Sequence, residues 1–482
     1  MRGGALTRTK TVPLQMLGGE NFARYPIIQS SSTTNFIVTD LSGEGALVPF
    51  PGYEKKINFV SGQPREIYVS TRLNAMVTVI GNAVYVVQVG LNYQLIGRID
   101  TFEGPVYISE NQNNQIGIVD GFSLYVYNYN FDTFTRIEIP GIIPSYISFL
   151  DTYTIITDTN RRIWIISSPN DMTMYSALNE ETIQTQADQL QVVERLDRTV
   201  WVLGKKVGEL WNDNPNQSLQ GLGSVSFPFK RNNSYAINYG CLSQQSLSSG
   251  FGMLAWLAFN AKSGPTIVYT SGGKPNVIST EGLDHKLQNL SHPEISTGMF
   301  FKDNGHVFYM ITFYHPDDDY TIVYDFNTKL WFYATDEYEC KYIAKRMVFF
   351  NDKFYFINFD SQSPGIYEMS IRYLTYDGAT VRRTRILDPI RFNDRKFIIN
   401  RVEPYMEHGH NDDIRRIDLS VSFNGNDSFQ VGRSSFVDSP QAHRIGQTKW
   451  YKLGLSNNAV LKFDFWSRGR FVVMNGEMDI II

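Results

Sequence analysis

Cysteine is nearly missing from this sequence: Cys241 and Cys340 are the only two in 482 residues. A disulfide framework needs more, so the fold must rest on its core and is free to mature in a reducing compartment. A basic excess is missing too. Lys and Arg number 44 against 48 Asp and Glu, a formal net charge of −4. A protein that grips nucleic acid carries extra cations to neutralise phosphates, so only local basic patches remain open. No run of 18 apolar residues occurs, which argues against a helical membrane span. No apolar segment follows Met1-Arg2-Gly3-Gly4, so no secretory signal is expected.

What is abundant is aromatic. Phe, Trp and Tyr make up 14% of the chain, with 28 Tyr and 32 Phe, while charged residues reach only 19%. Aromatic and β-branched side chains suit pleated, half-buried surfaces, and 37 Gly and 19 Pro supply many turns. The length allows two or three domains.

A hairpin repeats along the chain. Residues 75–80 and 83–89 are apolar runs joined by Gly81-Asn82, a two-residue link in which Gly provides the positive φ of a tight turn. Residues 116–119 and 122–127 repeat it around Asp120-Gly121. Further copies pair 154–157 with 163–166, 190–193 with 200–203, and 347–350 with 353–357. An apolar-aromatic pair follows each turn: Val84-Tyr85, Leu124-Tyr125, Ile163-Trp164, Val200-Trp201, Val268-Tyr269, Val323-Tyr324 and Phe354-Tyr355. Their aromatic members are spaced by 40, 39, 37, 68, 55 and 31 residues. The first three spacings match the ~40-residue length of a four-stranded propeller blade. Tyr324-Asp325-Phe326-Asn327-Thr328-Lys329-Leu330-Trp331 resembles the outer strand-turn-strand of a kelch blade. The rival reading is a β-meander in a sandwich or barrel.

The expected fold is therefore all-β: an irregular six- or seven-bladed β-propeller with an additional C-terminal β-domain and an extended N-terminal arm. The boundaries read as 1–60 for an arm packing with the C-terminal domain and 61–375 for the propeller. A polar insertion at 212–249 interrupts it, and 376–482 form a sandwich-like domain. One helix is expected over 281–290, with Leu283, Leu287 and Leu290 on one face and Ser279 or Thr280 as its cap.

No phosphate-binding loop, dinucleotide fingerprint or paired-cysteine metal motif is present. His408 and His410, followed by Asp412-Asp413, would share a strand face and could ligate a metal. Gly409 and Asn411 between them favour a solvated turn instead. Asp317-Asp318-Asp319 could attract calcium, but calcium also needs carbonyls and a rigid loop, and a solvated hairpin tip is favoured. A glycosidase needs two carboxylates about 5 to 9.5 Å apart, a relation that sequence cannot assign to Glu194, Glu209 or Glu337. Trp201, Trp211 and Trp256 could stack on sugars, yet their strand positions read as core. The stretch Thr157-Asp158-Thr159-Asn160-Arg161-Arg162-Ile163-Trp164 lacks the glycine and spacing of a sialidase Asp-box. No catalytic, cofactor-binding or metal-ligating residue is assigned, and no enzyme is expected. Arg382-Arg383-Thr384-Arg385 reads equally as a partner for acidic surfaces or as protection of an edge strand.

One order of motifs points to a family. Gly240-Cys241-Leu242 precedes a strand centred on Ala255-Trp256-Leu257. Gly264, Val268-Tyr269, Gly272-Gly273, Pro275 and Ile278-Ser279-Thr280 then lead into the Leu283/Leu287 helix. With Met174-Tyr175-Ser176-Ala177 upstream, Val323-Tyr324-Asp325 downstream, Pro51-Gly52 near the start and strands over 418–480, this resembles the packaged-DNA stabilisation proteins of short-tailed bacteriophages. These are the tail hub or nozzle proteins. The resemblance implies a virion component of the tail, assembled in the bacterial host cytoplasm. It implies a homohexameric ring below the portal and its adaptor, attachment of tail spikes or fibres and of a tail needle or tip, and no cofactor. The ring would retain the packaged genome and pass it during ejection without sequence-specific binding. Six copies at −4 would carry −24 formally, a field that repels DNA at short range and is screened within ~8 Å. The alternatives are a carbohydrate-binding or glycan-cleaving propeller of a tail or cell surface, and a cellular interaction module of kelch type.

Overall fold

A computed structural model describes residues 9–22, 31–39, 45–184, 188–213, 227–233, 237–392, 395–408, 415–425, 428–437, 445–469 and 471–482. Seven antiparallel sheets follow one another around a ring. The first blade is Pro64–Ser70, Ala75–Ile80, Ala83–Gln88 and Tyr93–Arg98, from inner to outer strand. The second is Tyr107–Glu110, Gln115–Val119, Leu124–Asn128 and Thr133–Ile137; the third is Tyr146–Leu150, Tyr153–Asp158, Ile163–Ser168 and Asp171–Thr182. Leu190–Leu196, Thr199–Gly204, Gly208–Asp213 and Phe229–Arg231 make the fourth. In the fifth, Gly240–Cys241 and Ser248–Gly250 both pair with Met253–Asn260, followed by Gly264–Thr270 and Asn276–Val277. The sixth is Ser296–Asp303, His306–His315, Asp318–Asp325 and Trp331–Ala334.

The seventh blade closes the ring. Its first three strands are Ala344–Phe350, Lys353–Asn358 and Gly365–Ser370, and its outer strand is Gly52–Asn58. Gly365 pairs with Asn58 and Ser370 with Gly52. Residues 52–58, counted with the N-terminal arm from sequence, thus belong to the last blade. Two chain regions far apart in sequence complete one sheet, so the circle cannot open without breaking a ladder.

Burial explains why these residues form these strands. Every residue of Ala75–Ile80 is buried, because neighbouring blades cover both faces of a middle strand, and such strands read as continuous apolar runs. Outer strands such as Thr133–Ile137 are mostly exposed. Apolar cores lie between blades: Val79, Val84, Ile116 and Tyr125 between the first and second, and Ile57, Ile67, Ile357 and Ile366 between the seventh and first. Gly81 has φ +57° in the Gly81-Asn82 turn, the left-handed region that glycine adopts most readily.

The uneven repeat has a simple cause. Trp201 and Tyr355 lie on the second strands of their blades, whereas the other five aromatics lie on third strands. The third-strand equivalents are Leu210-Trp211 and Ile366-Tyr367. Seven such pairs then mark seven blades. The expected polar insertion also dissolves in part: Phe229–Arg231 is the fourth blade's outer strand, and 240–250 begins the fifth blade. Residues 214–226 and 234–236 of it lie outside the described residues.

The helix Glu281–Gln288 follows the fifth blade, and Thr280 caps it by accepting from the Leu283 amide at 3.3 Å. Leu283 and Leu287 are buried in the core between the fifth and sixth blades.

A β-sandwich completes the molecule. One sheet combines Thr9–Leu14, Phe36–Val38 and Leu47–Pro49 with Phe397–His408, Ile445–Gln447, Trp450–Ser456 and Phe471–Ile481. The other runs Ser32–Thr34, Arg382–Ile386, Val460–Trp466, Arg415–Ser422 and Arg433–Val437. Phe36, Leu47, Phe397, Leu419, Phe463 and Val473 are among the side chains of their shared core. The second sheet is continuous with the sixth blade, because Thr34 pairs in parallel with Tyr333 on that blade's outer strand. Propeller and sandwich therefore share one nine-stranded sheet.

Candidate functional site

Ligands of ring-shaped folds are sought first at the axis, where all inner strands converge. Here the inner strands, the Gln244–Ser246 turn of the fifth blade and Tyr314 on the sixth blade's second strand bring polar groups from all seven blades together. Arg346 of the seventh blade donates from Nε to Glu66 of the first at 3.1 Å. Its Nη1 reaches the carbonyls of Gln245 in the fifth and Gly298 in the sixth, at 3.0 and 3.1 Å. Tyr107 of the second blade donates to Gln244 Oε1 at 3.3 Å, and Gln244 Nε2 donates to the Gln191 carbonyl of the fourth at 2.7 Å. Tyr146 of the third donates to Glu194 Oε2 of the fourth at 2.6 Å. Tyr314 of the sixth donates to Gln245 Oε1 at 2.8 Å.

Local backbone irregularity makes this meeting work. Register shifts fall between Pro64 and Glu66, between Leu190 and Val192, and between Ala344 and Arg346. A bulge leaves a residue out of the ladder and re-aims its neighbours. The Pro64 carbonyl accordingly accepts from Lys345 Nζ at 2.7 Å, and the Gln191 carbonyl accepts from Gln244. Burial pushes the carboxyls of Glu66 and Glu194 up, and it pulls the Lys345 ammonium down to about 8. Glu66 nevertheless holds the Arg346 guanidinium above its ordinary range. A buried charge stays in place when it is paired and hydrogen-bonded, and the Arg346–Glu66 pair satisfies both conditions. The side chains gathered here act as a polar plug across the axis. Bulges carry no composition signal, so no sequence pattern marks Glu66, Lys345 or Arg346.

The residues that sequence did single out are dispersed. Glu194 belongs to the plug. Glu209 is buried in the fourth blade, where it accepts from Trp211 Nε1 at 3.1 Å. Glu337 lies on the connection between the sixth and seventh blades. Each has a different setting, and none forms a facing carboxylate pair with another. Trp201, Trp211 and Trp256 are core residues, at 0%, 3% and 0% exposure, and offer no platform for a sugar.

Asp317, Asp318 and Asp319 turn to separate partners. Asp317 pairs with His315 at 3.5 Å, and Asp319 with Lys341 at 2.6 Å. Asp318 Oδ2 accepts from the amides of Ser291 and His292. The side chain of His408, together with His410, Asp412 and Asp413, lies outside the described residues. Among the described residues no group of three or more His, Cys, Asp and Glu could hold a metal, and no helix is long and apolar enough to cross a membrane.

The arginine cluster is neither a free basic patch nor an exposed edge. Arg385 is 2% exposed and donates to the carbonyls of Met16, Gly19 and Ser32 and to Thr33 Oγ1. Arg383, 1% exposed, donates to the carbonyls of Leu374, Val381 and Ser467. Arg382 grips both oxygens of Asp464 at 3.0 and 2.9 Å and also binds Glu339 of the propeller. These residues sit on a central strand, with Ser32–Thr34 on one side and Val460–Trp466 on the other. They tie the N-terminal arm, the propeller and the sandwich into one body.

A family model described as the β-propeller of bacteriophage P22 Gp10, the phage stabilisation family, matches residues 34–371. This chain belongs to that family. Membership makes it a phage structural protein, a component of the virion. The matched residues cover all seven blades, including the closing strand at 52–58. No curated protein matches the sequence. Among solved structures, a streptogramin B lyase is 11% identical, with 67% of this chain matched to 98% of that one at a TM-score of 0.43. A virginiamycin B lyase from Staphylococcus aureus is 10% identical over 66% of this chain and 99% of that one, also at 0.43. The N-terminal domain of Nup159 is 10% identical over 71% and 100%, at 0.40. Similarities of this size carry no functional argument.

Proposed function

We propose that this phage structural protein is a tail hub, or nozzle, subunit. Six copies form a ring that joins the portal-adaptor complex to the distal tail, retains the packaged genome and forms the channel for ejection. Tail spikes or fibres and a tail needle or tip attach to it, and DNA passes without sequence-specific binding. The observation that carries this reading is the family match over 34–371.

Two features of the molecule support it. Hydrogen bonds among the blades converge on the middle of the ring, which supports a structural role over an enzymatic one. The sheet shared between sixth blade and sandwich, held by the internal bonds of Arg382, Arg383 and Arg385, joins the two into one block, as a subunit of a tail conduit requires. A formal charge of −4 per chain leaves no net excess of cations for phosphate contacts, each of which would strengthen binding through counterion release. The glycan-binding alternative loses its platform, since its three candidate tryptophans are buried.

The test is co-assembly. The purified chain is mixed with a portal-adaptor complex of its phage and imaged by electron microscopy, beside the chain alone. Six-fold density below the adaptor is expected. A chain that stays monomeric with the adaptor and binds or hydrolyses glycans would overturn the reading.

A further inference from the structure

A cleft of about 440 Å³ opens where the sixth blade, the seventh blade and the start of the sandwich meet. Three segments build its wall: the connection 336–343, the turn 358–360 and residues 376–377, with Tyr53 of the closing strand beside them. Four carboxylates line it: Asp336, Glu337, Asp360 and Asp377.

None of the four is ion-paired among the described residues. Asp336 accepts from the amides of Tyr338 and Cys340, Asp360 from Gln362, and Asp377 from Lys55. Among the described residues Glu337 accepts from the Tyr53 hydroxyl alone, at 3.5 Å. Among the described residues of the lining the one cation is Lys341, whose charge is already engaged by Asp319 at 2.6 Å; Lys55 lies beyond the Tyr367 ring, 5.5 Å from its centre, and donates to Ser363. The remaining field is negative.

A second observation is independent of the charges. The Tyr376 ring is 1% exposed and lines the cleft, and its hydroxyl has no hydrogen-bond partner. Burial pushes that hydroxyl up, and the Asp336 and Glu337 carboxylates act in the same direction against the Arg383 guanidinium. A buried polar group without a partner is uncommon and calls for an explanation.

The chemistry of the wall narrows the ligand. Among the described residues the carboxylates are not grouped to hold a metal, whereas the exposed ring of Tyr338 and the half-buried ring of Phe359 stand among them, with Tyr53, Tyr367 and Tyr376 as buried rings of the wall. Aromatic faces beside carboxylates attract organic cations. Lys341 shows the mode in place, with its Nζ 5.4 Å from the centre of the Phe359 ring.

We propose that this cleft binds an organic cation, a guanidinium or primary ammonium group. Two sources share that chemistry: a basic side chain on another virion protein, and a free polyamine. The inference stands on the cleft alone and does not depend on the tail-hub reading.

The test is calorimetric titration of the full chain with spermidine and, separately, with an acetylated peptide bearing two arginines. Calcium chloride and a chito-oligosaccharide serve as further probes. Tighter binding of the peptide assigns a protein side chain, and tighter binding of spermidine assigns a polyamine. The double variant Glu337→Gln, Asp360→Asn should weaken either cation by about tenfold or more with an unchanged melting temperature. Tyr376→Phe, which leaves the packing of the ring intact, should weaken it by a smaller factor. Failure of both cations to bind, binding that ignores both variants, or binding only of calcium or the oligosaccharide would overturn the proposal.

Discussion

Arg346 on the seventh blade and Glu66 on the first meet at 3.1 Å across the seam where the circle of blades closes. Both are largely out of water, at 11% and 12% side-chain exposure. Arg346 also holds two carbonyls from the fifth and sixth blades, so one guanidinium ties four blades together.

Replacing Arg346 with Met should therefore cost about 3–5 kcal/mol, because Glu66 is left as an uncompensated buried charge. Adding Glu66→Gln should recover much of that loss. Urea unfolding of the single and double variants measures both values. A double variant no more stable than the single one would show that the pair itself matters little.

The closing strand makes a separate prediction. Ile57 is 5% exposed, lies in the core between the seventh and first blades and pairs with Ile366. Ile57→Ala should cost about 2–5 kcal/mol. Hydrogen exchange should quicken first in Gly365–Ser370, the strand that loses its partner, and not in the third or fourth blade.

Arg385 should control the N-terminal arm. Arg385→Leu removes the donor held by the carbonyls of residues 16, 19 and 32 and by Thr33 Oγ1, at a cost of about 3 kcal/mol. Limited proteolysis should then cut within 9–22 faster than in the parent chain.

Gly282 tests the same arm from the other side. An alanine in a helix normally stabilises by about 1 kcal/mol over glycine. At Gly282 a Cβ would overlap the Phe22 carbonyl, so Gly282→Ala should instead lower the melting temperature.

Glu20 should give a pH signature. Burial pushes its carboxyl up to about 7 from 4.5, so the folded state holds a proton that the unfolded state releases first. Its contribution to stability is full below pH 4.5 and is lost as pH rises through about 7. Glu20→Gln should remove that fall, read as a flatter difference in unfolding free energy between pH 4.5 and 7.

Much of the fold is legible in short stretches. The all-apolar run 75–80, the turn at Gly81 and the aromatic at Tyr85 report a middle hairpin because its neighbours in sequence are its neighbours in the sheet. The buried tryptophans follow the same logic. The role of Arg385 does not, since its partner Met16 is 369 positions away. Nor does the bulge at Lys345, whose acceptor Pro64 lies 281 positions away.

The sequence by itself determined an all-β chain of repeated hairpins with a helix capped after residue 280, because strand period, turn chemistry and capping act within a few residues. Only the tertiary structure decided that there are seven blades and that residues 52–58 close them. It alone turned the arginines into internal clamps and gathered four carboxylates with Tyr376 at one seam. Those outcomes depend on ring closure, which brings together side chains that no local pattern relates.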